Sequence, residues 1–167
     1  MKNLKTLCIL LLSLSIISCS SSDDDGGGVT STAEYKATMT GGPFGDKHTS
    51  TLVSYVTNAS KGLTIEITDA NKNVIIISLN TKGGFDSGVT KIIGEQDEMG
   101  NYTDIKLRHY TEGVTYFSNN GSINISSNKP NPSSEGGQLI SGSFSLELTS
   151  TMGDLVSMTG TFNNILY

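Results

Sequence analysis

Few side chains of this 167-residue sequence are of the types that usually carry out catalysis. There are two histidines, His48 and His109, and two cysteines, Cys8 and Cys19. His109 falls on the apolar face of a predicted strand, which favours a hydrogen-bonded structural histidine over a general base. His48 stands in FGDKHTS, a predicted loop, where we expect a solvated side chain.

The motifs of common enzyme and metal-binding classes are missing from the sequence. It contains no GxSxG elbow, HExxH, CxxC or Walker loop. Glu95, Asp97 and Glu98 in GEQDEMGN lack EF-hand spacing, and we expect a solvated hairpin tip there. We predict that the protein is not an enzyme and has no catalytic residue, metal site or cofactor. A glycan- or peptide-acting hydrolase with an unrecognised site is the alternative.

The second cysteine stands where an apolar stretch meets a polar one. A short positive segment, MKNLK, precedes the apolar run Leu7–Ile17. In a helix these residues reach roughly 16 Å, well short of the ~30 Å hydrocarbon core of a bilayer. The layout is that of a secretory signal peptide.

The end of this leader, Ile16-Ile17-Ser18-Cys19, resembles a bacterial lipobox. The resemblance implies that residues 1–18 are a lipoprotein signal peptide, cleaved before Cys19. It also implies that Cys19 is the lipid attachment site: its thiol receives a diacylglyceryl group and its new amino terminus is acylated with palmitate or a similar fatty acid. Because Cys8 leaves with the leader, an unmodified Cys19 would be an unpaired thiol in an exported chain. A plain secreted protein with an incidental cysteine is the alternative.

The segment after the cysteine, SSSDDD at 20–25, resembles the acidic export tag of surface lipoproteins of the Bacteroidota. It implies an outer-membrane protein that is lipid-anchored and faces the cell exterior; an inward-facing outer-membrane lipoprotein is the alternative. Three glycines and several Ser and Thr residues then form a flexible linker. We therefore predict an acylated cysteine and linker at 19–32 and one β-domain at 33–167.

Composition restricts the partners of the exported chain. Removing residues 1–18, with Lys2 and Lys5, leaves 149 residues with 9 cationic and 16 acidic side chains, a net charge of −7. Nucleic acid is not expected, because its binding needs clustered Lys and Arg, and Arg108 is the only arginine. We expect contact with the membrane through the lipid anchor and a glycan or protein as partner. The oligomeric state stays open.

Alternation of apolar and polar residues recurs through the domain, while no helical period is sustained. With the intervening turn residues it predicts ten strands: Glu34–Met39, Thr51–Val56, Leu63–Asp69, Val74–Asn80, Val89–Ile93, Thr103–Tyr110, Val114–Ser118, Ser122–Ser127, Ile140–Ser150 and Leu155–Ile165. Hairpins dominate and crossover helices are missing. The predicted fold class is therefore all-β, a single antiparallel β-sandwich or flattened β-barrel of about ten strands.

Loop length sets the register of each predicted hairpin, since a slip of one residue would turn a core face outward. A three-residue loop over 152–154 pairs Leu148 with Met158, apolar against apolar. The same argument places a three-residue loop over 71–73.

Two-residue turns at 112–113 and 120–121 would set three strands side by side. The face opposite the apolar one then carries a candidate ligand patch: Arg108, Tyr110, Phe117 and Asn124. Aromatic rings beside a guanidinium and an amide could receive a sugar ring or the edge of a partner. Alternatively, a second layer covers this face and makes the aromatic rings part of the core, or a longer turn at 112–113 flips the register.

The C-terminal strands resemble the closing strands of a family of small surface lipoproteins of the Bacteroidota. The matching positions are Gly121, Ile123, Ile125, Ile140, Ser141, Gly142, Phe144, Gly160 and Phe162. The segment YKATMTGGPF is similar to the family's first strand, with Phe44 near a position where the family has tryptophan. The resemblance implies an all-β domain and indicates no activity.

Overall fold

The computed structural model describes residues 32–133 and 135–167. Within these ranges the chain forms nine strands and no α-helix: β1 (Glu34–Thr40), β2 (His48–Asn58), β3 (Leu63–Asp69), β4 (Val74–Leu79), β5 (Thr90–Ile92), β6 (Asp104–Arg108), β7 (Thr115–Pro130), β8 (Gln138–Ser150) and β9 (Leu155–Leu166). A short 3₁₀ turn, Gly42–Phe44, follows β1. The predicted leader, Cys19 and the acidic tag lie outside the described residues.

The strands form one antiparallel sheet that closes into a barrel of eight strands. The order around the barrel is β1-β2-β3-β4-β6-β7-β8-β9 and back to β1, so barrel neighbours follow one another along the chain. The short β5 pairs with the second half of β7. The predicted all-β antiparallel class is confirmed, in its barrel form, and closure leaves few free strand edges.

The up-and-down order gives the barrel two distinct ends. Strand β1 starts at what we call the N-terminal end, where β9 also finishes. The opposite end, called the far end, carries the loops 41–47, 70–73, 109–114 and 151–154. Any anchor preceding β1 therefore enters at the end opposite these four loops.

Side chains fill the interior of the barrel. Inward positions alternate along the strands, as in the buried Ile65 and Ile67 of β3 and Ile75 and Ile77 of β4. An eight-stranded barrel is just wide enough for side chains to occupy its interior. The hydrophobic core therefore lies inside the barrel.

Two glycines make room for aromatic rings between β8 and β9. Gly160 lies opposite Phe144, and Gly142 lies opposite Phe162. A Cβ atom at Gly160 would stand 2.5 Å from Cζ of Phe144, and one at Gly142 would stand 2.5 Å from Cζ of Phe162. Each ring therefore lies over the backbone of the facing glycine.

The predicted loops over 71–73 and 152–154 are wrong in register. Leu148 pairs with Val156 instead of Met158, a displacement of two residues, and the pairing of β3 with β4 is displaced by the same amount. Each turn starts earlier because its first residue caps the loop: Ser150 Oγ accepts the backbone N–H of Met152 and of Asp154. A displacement of two leaves every side chain on its predicted face.

The predicted turn at 120–121 is also wrong, because β7 continues through it. A bulge between Ser118 and Asn120 bends the strand while its pairing with β8 continues. Gly121 has φ of 118°, and a Cβ there would stand 2.3 Å from the carbonyl oxygen of Ser145. Two predicted strands therefore merge into β7, and the described part of the chain forms nine strands instead of the ten predicted.

Candidate binding surface at the far end

Three residues of the predicted patch lie together near the far end of the barrel. Arg108 ends β6 and pairs with Thr115, while Phe117 on β7 pairs with Lys106; the predicted two-residue turn at 112–113 would have paired Arg108 with Phe117. Tyr110 is 59% exposed and Phe117 43% exposed. The turn is therefore longer than predicted, but the register does not flip, because a shift of two residues leaves both rings on their predicted outward face. The alternative that a second layer buries these rings is wrong.

Asn124 does not belong to this group, which corrects the prediction. It lies seven residues beyond Phe117 on the same strand, about 23 Å away at the usual rise of ~3.3 Å per residue. There its Nδ2 donates a hydrogen bond to Thr90 Oγ1 of β5, at 3.1 Å. The prediction failed because the turn that would have folded Asn124 back onto Phe117 does not form.

Lys72 joins the group from the turn between β3 and β4. Its Nζ lies 5.1 Å from the ring centroid of Tyr110, within the range of a cation–π interaction. The backbone N–H of Tyr110 donates to Oδ1 of Asn73, at 3.0 Å. The two turns are thereby held side by side, and a lysine of one turn contacts the aromatic ring of the other.

We call Lys72, Lys106, Arg108, Tyr110 and Phe117 the basic aromatic patch. Lys106 Nζ lies 3.3 Å from Oδ2 of Asp104, while within residues 32–133 and 135–167 Arg108 makes no salt bridge. The described residues hold 9 cations (11 minus 2) and 13 carboxylates (16 minus 3), and three of the cations are here. The patch is thus a local concentration of positive charge on a negative domain.

Sequence reasoning missed both lysines. Lys106 could have been predicted from the sequence, because it shares the outward face of its strand with Arg108, two residues away. Lys72 could not have been predicted from the sequence, because its place beside Tyr110 depends on the pairing of β4 with β6.

Exposed apolar side chains extend the patch around the far end. Thr149 of β8 lies between Phe117 of β7 and Leu155 of β9, since it pairs with both. Leu155 is exposed, and so is Met152 in the turn that precedes it. Aromatic and apolar contact area therefore continues from β6 to β9 at this end.

Both histidines lie at the far mouth of the barrel, on either side of Phe44. The ring centroid of Phe44 is 5.2 Å from that of His48 and 5.0 Å from that of His109. Nδ1 of His109 accepts the backbone N–H of Glu112, at 3.2 Å, so His109 is hydrogen-bonded as predicted. The prediction of a solvated loop residue is wrong for His48. The side chain is half-buried in β2, and Nδ2 of Asn71 donates a hydrogen bond to its Nε2.

Tyr116 lies beneath this mouth with its side chain buried. Its hydroxyl has no hydrogen-bond partner within the described residues. Burial raises the pKa of Tyr116, and the carboxylates of Asp154 and Glu112 raise it further. The group is therefore a neutral phenol in the barrel interior.

The two most buried carboxylates among residues 32–133 and 135–167, those of Asp69 and Asp97, each hold a turn. Oδ1 of Asp69 accepts the backbone N–H groups of Asn71 and Asn73, both at 2.8 Å. Oδ1 of Asp97 accepts the backbone N–H groups of Met99 and Asn101, at 3.0 and 2.9 Å. In both turns the donors are two and four residues after the aspartate.

Asp97 is therefore part of a fixed turn, and the expectation of a solvated tip is wrong for it. Its Oδ2 accepts the backbone N–H of Thr81, just after β4, whereas Asp69 precedes β4. The backbone N–H of Thr81, with further hydrogen bonds from Asn101, holds the pKa of Asp97 well below its usual range. Since the length of β4 separates Asp69 from Asp97, these two carboxylates do not form an acid–base pair.

Lys91 is a buried cation in the segment that carries β5. Its Nζ donates to the carbonyl oxygens of Asn80, at 2.9 Å, and of Lys82. It also lies 4.9 Å from the ring centroid of Phe85. Burial lowers the pKa of Lys91, while the carboxylates of Glu95 and Asp97 oppose that change. Through these contacts the ammonium of Lys91 holds β5 against the segment that follows β4.

Comparison with known proteins identifies no relative: no protein family, curated protein or solved structure matches the chain. Among residues 32–133 and 135–167, no group of three or more His, Cys, Asp or Glu side chains is placed to hold a metal ion. No helix in this part of the chain is long and apolar enough to cross a membrane.

Proposed function

We propose that the chain is an outer-membrane lipoprotein, anchored through Cys19 and exposed at the cell surface, that acts as a non-enzymatic binding module. The basic aromatic patch is its binding surface. The lipobox-like and tag-like segments support the location, and the patch supports the activity.

The position of the patch is the observation that carries this proposal. Tyr110 and Phe117 are exposed at the far end, beside three cations. Strand β1 begins at the N-terminal end, so a chain anchored through Cys19 would present the patch away from the membrane. Because side chains fill the barrel interior, the outer surface is where a ligand would be bound.

The lipid anchor is tested by metabolic labelling with an alkyne fatty acid. Wild-type protein and Cys8→Ala should be labelled, because Cys8 leaves with the leader, whereas Cys19→Ala should not. A Cys19→Ala protein that stays labelled and membrane-bound would show that the anchor is elsewhere.

Surface display is tested by adding protease to intact cells. The wild-type protein should be cleaved, and deletion of Asp23–Asp25 should protect it while labelling with the fatty acid continues. A wild-type protein that resists protease on intact cells but is cleaved after lysis would contradict surface exposure.

Binding through the patch is tested by photo-crosslinking in whole cells. A benzophenone amino acid replacing Phe117 should give a discrete adduct, and Arg108→Gln should reduce its yield. The matched control is the same probe at Val53, an exposed apolar residue on β2. Equal adducts from both positions, or no adduct at 117, would contradict the proposal.

A further inference from the structure

We infer that the ligand of the basic aromatic patch is an anionic polysaccharide, an inference that rests on the proposed binding function. The patch combines aromatic rings with neighbouring cations, and each feature corresponds to one part of such a polymer.

The cations follow one line along the sheet. Lys106 and Arg108 are successive outward residues of β6, about 7 Å apart. Lys72 lies beyond Arg108, since its Nζ is 5.1 Å from the ring centroid of Tyr110 in the turn that follows β6. Three cations along β6 and the turn that follows it, of which Lys106 is also paired with Asp104, match a linear polyanion better than one small anion.

An aromatic ring flanks each end of this line. Phe117 lies directly opposite Lys106, where Cβ atoms of paired residues are about 5 Å apart. Tyr110 lies at the other end, in contact with Lys72. Uronic acid and sulfated sugar rings present an apolar C–H face that packs on an aromatic ring and an anionic group that reaches a cation.

The overall charge distinguishes such a polymer from nucleic acid. The described residues carry 9 cations and 13 carboxylates, a net charge of −4, and Asp69, Asp104 and Glu112 each lie within four residues of a cation of the patch. Duplex DNA carries one charge per about 1.7 Å of helix axis and needs a broad basic surface. A polysaccharide with at most one charge per sugar suits a few cations spaced about 7 Å apart.

The experiment uses the full-length lipoprotein in detergent micelles and two matched pairs of polymers. Polygalacturonate is compared with its methyl ester, and dextran sulfate of low substitution, with at most one sulfate per glucose, is compared with dextran, so that each pair differs in charge. We expect binding to at least one anionic polymer, none to its neutral partner, and weaker binding at higher salt.

Variants locate the binding. Arg108→Gln should weaken it by about tenfold, as loss of one charge-assisted contact does, and Phe117→Ala should weaken it as well. Lys61→Gln and Lys129→Gln, which remove exposed lysines outside the patch, should leave binding unchanged. Thermal unfolding of each variant verifies that it is folded.

The outcomes separate this inference from the proposed function. Equal binding of a neutral polymer, equal binding of duplex DNA, binding that survives Arg108→Gln, or failure of both anionic polymers would each overturn the inference. If the crosslinked adduct at 117 still forms, the proposed binding function stands. If no adduct forms, the proposed function itself fails.

Discussion

Lys91 shows how one buried charge can organise a long connection. Its ammonium joins Asn80 and Lys82, which follow β4, to β5, which lies eight or more residues further along the chain. Lysines are rarely fully buried unless they are paired. Here carbonyl oxygens and the ring of Phe85 take the place of water.

Replacing Lys91 by Met keeps the aliphatic stem and removes the ammonium. We expect the free energy of unfolding to fall by about 2 kcal/mol, because the buried carbonyl of Asn80 loses its charged donor. Urea denaturation measures the change, with Lys129→Met, at an exposed position, as the control. Equal stability of the two variants would mean that the ammonium is not structurally important.

Asp97 gives a prediction for pH. Because its pKa in the folded protein is lowered, its turn is stabilised above the ordinary aspartate pKa of ~3.9, and this stabilisation is lost as pH falls through the lower folded value. The amide proton shifts of Met99 and Asn101 should therefore stay constant through about pH 4 and move only at lower pH.

The matched control for this titration is Asp97→Asn, which removes the carboxylate and should remove the movement. A transition of the two amide shifts centred near pH ~3.9 would show that the hydrogen bonds of Asp97 do not favour its ionised form.

At the scale of secondary-structure elements, three turns share one hydrogen-bonding pattern. Asp69, Asp97 and Ser150 each cap the N–H groups two and four residues ahead. In all three turns the fourth residue has positive φ: Lys72 at 65°, Gly100 at 86° and Gly153 at 92°. The cap fixes where each turn starts, and this decides the register of the two hairpins at the far end.

The β8–β9 pair gives a prediction at this scale. Gly160→Ala should lower the free energy of unfolding by about 2 kcal/mol, because its Cβ would meet the Phe144 ring, the Lys36 carbonyl and Ala37. Urea denaturation compares it with Thr161→Ala, an exposed neighbour on the same strand. A Gly160→Ala variant as stable as Thr161→Ala would contradict the close packing of ring on backbone.

At the scale of the whole molecule, closure of the barrel joins all strands into one core. Strand β1 lies between β2 and β9, so the first and last strands of the chain are neighbours. Phe162 on β9 and Ile65 on β3 belong to the same buried cluster. The domain is therefore expected to unfold in a single step.

Cooperative unfolding is tested with two probes. Far-ultraviolet circular dichroism and tyrosine fluorescence, usable because the chain has no tryptophan, should give the same midpoint. Phe162→Leu should lower both midpoints equally. Two separate transitions, or a shift in one probe only, would show that part of the barrel unfolds independently.

The sequence by itself determined which side of β6 and of β7 faces the core. Alternation put Ile105 and Leu107 inward and Arg108 and Phe117 outward, and the structure agrees. It also indicated the all-β class, because no helical period competes with the strands. These properties are local, since each depends on residues close together along the chain.

Only the tertiary structure decided register, strand count and the membership of the patch. A displacement of two residues keeps every side chain on its face, so alternation cannot detect it. Asn124 lies outside the patch because β8 pairs along the whole of β7, and Lys72 belongs to the patch because β4 pairs with β6. Both pairings join residues distant in sequence, and their hydrogen bonds exist only once the barrel has formed.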